Sequence, residues 1–112
     1  MSPARIVTNP ANGEQLTWLD GRRAELRVYG AGRGRREPQV DPAGAKRFTV
    51  LRGRMAIVVE GVLNVVEEGG TISVPPGAEH AWWSTRAGEL CLHVENQPAR
   101  LGPLHDPDLA LI

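Results

Sequence analysis

The sequence predicts an all-β domain, a barrel or sandwich, and three observations carry that prediction. Gly 13 and Pro 9 together make about a fifth of the 112 residues and fall at fairly regular intervals. Between them lie runs of four to seven residues, most of them rich in Val, Ile, Leu, Thr or Trp, the composition of short strands. No stretch long enough for a helix carries apolar residues at the helical spacing.

Taken in order, Glu14–Asp20 is the first such run, and Gly21 turns it into Ala24–Tyr29. The segment Gly30–Glu37 (GAGRGRRE) reads as a solvated loop. Its glycines would suit a dinucleotide only if a helix began directly after them, and Pro38 with an extended segment follows instead. Lys46–Leu51 then turns at Arg52-Gly53 into Arg54–Val59, and Glu60-Gly61 leads into Val62–Val66. Glu67–Gly70 turns into Thr71–Val74, and Pro75-Pro76-Gly77 into Glu79–Ser84. Leu90–Glu95 closes the series. In the last run Leu90, Leu92 and Val94 share one face, expected inside, and Cys91, His93 and Glu95 the other. In the Pro-containing tail, residues 97–112, Asp106 with Pro107 could start a short helical turn, and His105 is expected to be exposed.

Composition bounds the function classes. At 12.2 kDa and 41% apolar residues the chain fits a single domain, residues 1–112. Lys+Arg 13 against Asp+Glu 13 argues against a cationic nucleic-acid binder and against a disordered acidic chain. The single cysteine, Cys91, excludes a framework of internal disulfides. The longest apolar run, Met55–Val59, is far short of a membrane span, and MSPARIVTNP lacks the apolar core of a signal peptide. A soluble cytoplasmic protein with neither membrane nor nucleic-acid partner is the expectation. Charge is divided along the chain: residues 1–56 carry 11 basic and 5 acidic side chains, residues 57–112 carry 2 and 8. The halves can neutralise each other across a sheet or a subunit contact.

The most specific text is Gly69-GTISV-Pro75-P-Gly77-AE-His80-AWW-Ser84. It resembles the second signature of the cupin superfamily: Gly, five residues, Pro-x-Gly, two residues, His, three residues, Asn. Ser84 departs from it, standing at the Asn position. Upstream, counting back from Gly53 places Lys46 at the glutamate of the first cupin signature and Gln39-Val40-Asp41 at its His-x-His. The resemblance covers about residues 6–99. It implies a small single-domain cupin, a double-stranded β-helix (jelly-roll) barrel with a degenerate metal motif. It also implies a homodimer, often formed by lending an N-terminal strand, here between Ile6 and Leu19.

In that family the two histidines, the glutamate and the later histidine hold one divalent metal. Here Gln39, Asp41 and Lys46 replace three of them and His80 remains. A glutamine carbonyl is a poor ligand for a transition metal, and a protonated lysine brings only donors and a positive charge. No cofactor is therefore expected, although Asp41 and His80 could hold a divalent metal weakly with waters. Two readings of the altered centre stay open. Lys46 and Asp41 pair as a structural ion pair, or His80, Asp41 and Lys46 carry proton transfer.

Around them Gln39, Trp82, Ser84, Phe48 and Met55 are candidates to line a ligand pocket. By period two Trp82 and Ser84 share the His80 face, while Phe48 and Met55 are otherwise ordinary core. The leading expectation is a metal-independent isomerase, cyclase or lyase acting on a small molecule. The alternatives are a barrel that binds or senses a small ligand without turnover, and a metal-dependent, dioxygenase-like cupin using Asp41, His80 and His93.

Overall fold

Alternating burial along the chain resolves into strands wherever the sequence alternates. The computed structural model describes residues 5–9, 13–42 and 44–98. Within them the strands are β1 (Arg5–Thr8), β2 (Gln15–Trp18), β3 (Arg23–Tyr29), β4 (Gly34–Gln39) and β5 (Gly44–Arg52). There follow β6 (Arg54–Val59), β7 (Val62–Glu67), β8 (Thr71–Val74), β9 (His80–Ser84) and β10 (Glu89–Pro98). No helix forms among the described residues. The six-stranded sheet runs β1-β2-β3-β10-β5-β8 and the four-stranded sheet β4-β9-β6-β7. The paired strands are antiparallel, and the chain passes repeatedly from one sheet to the other, which makes a jelly-roll barrel.

Turn chemistry sets the hairpins. Glu60 (φ 48°) and Gly61 (φ 78°) form the tight β6–β7 reversal, where two successive positive φ values match the twist of the flanking strands. The core lies between the sheets. Leu26, Val28, Phe48, Val50, Leu90, Leu92 and Val94 of the larger sheet meet Met55, Ile57 and Trp82 of the smaller. The leucine face of β10 points inward as its parity predicts, and His93 and Glu95 lie on the half-buried outer side.

The structure corrects two boundaries. The Gly30–Glu37 segment is not a loop throughout, because Gly34–Gln39 forms β4 and pairs with β9. Gly34 permits this: a Cβ there would sit 2.6 Å from the Trp82 carbonyl oxygen and 2.7 Å from the Trp83 Cα. Arg35 on the same strand turns inward and pairs with the buried Glu14, through Nε at 3.0 Å to Oε2 and Nη2 at 2.5 Å to Oε1. At the other end, β10 runs three residues past Glu95 to Pro98, within the span of about 6–99 that the resemblance covers. The N-terminal segment lies on the chain's own sheet, β1 against β2 and β2 against β3. The turn expected at Asp106–Pro107 and the exposed His105 lie outside the described residues.

Candidate functional site

β9 begins at His80 because Pro75-Pro76-Gly77 has just reversed the chain; the Gly77 amide donates to the Asp41 carbonyl at 2.8 Å. That bond ties the segment carrying Asp41 to the start of β9. Gln39 stands opposite His80 in the β4–β9 ladder and Val59 opposite it in the β6–β9 ladder. The His80 ring is buried at 2% exposure and meets Phe48 edge to face, ring centroids 6.1 Å apart. Its Nδ1 lies 3.1 Å from the Ala78 carbonyl oxygen. A carbonyl only accepts, so Nδ1 carries the proton and Nε2 of the neutral ring keeps its lone pair. Nε2 is buried and has no hydrogen-bond partner.

Lys46 projects inward from β5, on the same face as Phe48 and Val50, and is 7% exposed. Its ammonium lies 3.8 Å from Asp41 Oδ2, an ion pair longer than a direct hydrogen bond. Burial pushes the Lys46 pKa down; Asp41 opposes this and Arg35 adds to it. His80 is also held below its ordinary value, first by burial, against the pull of the Ala78 carbonyl, with Lys46 lowering it further. His80, Lys46, Asp41 and Arg35 thus share one electrostatic environment. A neutral imidazole near a buried ammonium whose pKa is lowered gives a pair of groups able to exchange protons with a small molecule.

One member of the cluster is absent from the sequence reading. Asn96 on β10 stands opposite Lys46, is 1% exposed, and neither its Nδ2 nor its Oδ1 has a partner. The signal was available. Leu90, Leu92 and Val94 face inward, and the same parity carried two residues further falls on Asn96. Taking the strand to end at Glu95 hid it.

Other candidates lie elsewhere. Ser84 is buried, but it stands opposite Met55 at the far end of β9, and its hydroxyl donates to the Arg86 carbonyl at 3.0 Å. Four residues of strand, roughly 13 Å, separate it from His80. Met55 and Trp82 are part of the apolar core, with Ile57 opposite Trp82. Phe48 belongs both to that core and to the wall beside His80. His93 points away from the barrel interior, opposite Glu25 on β3 and Thr49 on β5, and cannot join Asp41 and His80 as a ligand.

The donor set does not fit the divalent metal that the cupin motif holds. Lys46 places an ammonium beside Asp41, and two like-signed charges at about 4 Å repel by several kcal/mol at the effective dielectric of such sites. Among the described residues no three His, Cys, Asp or Glu side chains are grouped so as to share a cation.

No family profile matches the sequence, and no curated protein is similar to it at the sequence level. Solved structures do match. The chain is similar to the CENP-C cupin domain of Drosophila melanogaster, with a TM-score of 0.72 at 12% identity, over 84% of this chain and 75% of that one. It is similar to an RmlC-like cupin from Shewanella frigidimarina, with a TM-score of 0.63 at 18% identity, over 88% and 86%. A third likeness, at a TM-score of 0.72 and 15% identity, is to the FeII form of HppE, of which the chain spans 56%. Identities this low speak for the fold alone. Two antiparallel sheets, the reversed turn before His80 and these neighbours make the chain a small cupin-fold domain.

Proposed function

We propose that this domain binds a small polar molecule in its barrel and moves a proton on it without a metal, as an isomerase, cyclase or lyase does. One observation carries the reading: the buried polar atoms His80 Nε2, Asn96 Nδ2 and Asn96 Oδ1 have no partner, next to Lys46. Burying such atoms unpaired costs about 1–3 kcal/mol each, and a polar ligand among them would remove that cost. In this reading His80 Nε2 takes the proton. Lys46 donates one or stabilises the negative charge that develops, while Asp41 positions the ammonium and Asn96 orients the substrate. Gln39 and Phe48 are the nearest wall.

The test is solvent exchange. Small carbonyl and hydroxy acids are incubated with the protein in deuterated water, and their NMR spectra are followed for deuterium incorporation. Incorporation that His80→Gln abolishes supports the proposal, and a Lys46→Met variant should lose it as well. Ligand binding without exchange or turnover in the wild type would favour the non-catalytic binding barrel. Near-stoichiometric iron, zinc, manganese or nickel in protein purified without chelator, lost on His80→Ala, would favour the dioxygenase-like alternative.

A further inference from the structure

The outer face of the four-stranded sheet is apolar where a solvated sheet would alternate to polar residues. In the β6–β9 and β6–β7 ladders the outward side chains form two rows, Trp83–Ala56–Val65 and Ala81–Val58–Leu63. Leu63 and Val65 are 59% and 54% exposed on the edge strand β7. A hollow of about 70 Å³ opens between Val58, Ala81 and Pro38, at the end of Gly61 and Glu79, and His80 at the start of β9 also lines it. Beside Trp83 the guanidinium of Arg36 stacks at 5.1 Å from the ring centroid. Arg54 adds a second cation at that end, near Glu67 at 3.6 Å, and Arg86 a third, at 3.8 Å from the same carboxylate. The opposite end carries Glu60 and Glu79, both exposed.

We infer that this face is an interface with a second copy of the same chain, two four-stranded sheets packed face to face. A two-fold axis lying in the interface can run along the strands or across them. Along the strands, it would bring each cationic end onto its own counterpart. Across the strands, it reverses the ends, so Arg36 and Arg54 of one copy approach Glu60 and Glu79 of the other. The same operation lays Trp83 over Ala81, Ala56 over Val58, and Val65 over Leu63. Each large side chain then meets a small one or a neighbour in the second row, and the edge of the Trp83 indole enters the hollow beside Ala81. Charge and shape therefore select the same arrangement, the self-complementarity that an isologous contact requires. Packing of sheets face to face is the ordinary way to bury such a surface. With only a few strands on each side, the contact is small and the dimer is expected to dissociate in the micromolar range.

The experiment is sedimentation velocity on the full chain from about 1 to about 200 µM, with thermal melting of each variant as the folding control. Wild type is expected to show a concentration-dependent dimer. Leu63→Asp and Trp83→Ala should each raise the dissociation constant by at least about tenfold. The single reversals Arg36→Glu and Glu79→Arg should each weaken the dimer by roughly threefold to tenfold, and the double variant Arg36→Glu/Glu79→Arg should recover most of the loss. That recovery cannot come from a fault in folding. A wild type that stays monomeric throughout the range overturns the inference. So does a dimer insensitive to Leu63→Asp and to both charge reversals, which would place the contact elsewhere, as in exchange of the N-terminal strand.

Discussion

Followed along β9, the barrel interior changes character. At one end Ser84 faces Met55, Trp82 packs opposite Ile57, and the Ser84 hydroxyl is satisfied by a backbone carbonyl. At the other, His80 stands beside Gln39, with Lys46 and Asn96 buried and polar atoms left unpaired. Both ends are almost equally hidden from water, yet only one is built of groups that gain by burial. The apolar end holds the barrel together, and the polar end gives up stability to keep titratable groups dry. Concentrating polarity at one end is what distinguishes a site from a merely imperfect core.

The sharpest way to break that contrast is to truncate the apolar end. Trp82→Ala removes a fully buried ring from the core and should lower stability by about 3–5 kcal/mol in denaturant titration. The ion pair Glu14–Arg35 comes next. Glu14→Gln leaves Arg35 largely buried without its carboxylate and should cost about 2–3 kcal/mol, less than a fully enclosed pair because Arg35 keeps 18% exposure. At the polar end the sign should reverse. Asn96→Leu exchanges an amide without partners for an apolar group of similar volume and should stabilise the fold by about 1–2 kcal/mol. The same variant should weaken any ligand held in the barrel. A destabilised Asn96→Leu would mean that the amide is satisfied in solution and that the two ends differ less than their side chains imply.

The smallest expected effect is a pH dependence. Burial holds the His80 pKa below its ordinary 6.5, so the unfolded chain binds its proton more readily than the folded one does. Its contribution is neutral well above pH 6.5 and becomes destabilising as the pH falls below that value. As the pH falls below about 6.5, the stability of His80→Gln should fall less steeply than that of wild type. Equal slopes would show that the ring is not held neutral. For the proposed chemistry the same shift places the acidic limb of the rate profile below the usual histidine range, because His80 works as a base only while neutral.

Much of this molecule was legible in the order of residues, because strands and turns depend on local chemistry. Period-two alternation in Lys46–Leu51 and Leu90–Val94, and the Gly and Pro turns between strands, need no tertiary information to read. The spacing from Gly69 to His80 similarly marked the one metal-ligand position of the resembled motif that is kept, and the three altered positions were visible as Gln39, Asp41 and Lys46. β4 could not be read that way. Its arginines look solvated until Arg35 is seen to meet Glu14, a partner 21 residues away whose burial is set by the closing of the barrel. Asn96 was half legible, since its parity was present but the end of its strand depends on pairing with β5. Ser84 and His80 share a face by sequence, and only the length of β9 shows that they serve opposite ends. Charge proximity, burial and unmet hydrogen bonds are relations between strands distant in the chain. The sequence determined by itself that this is an all-β domain, a barrel or sandwich, and resembles a cupin with altered ligand positions; the packing of two sheets decided which polar groups are sealed together and which apolar face is left outside.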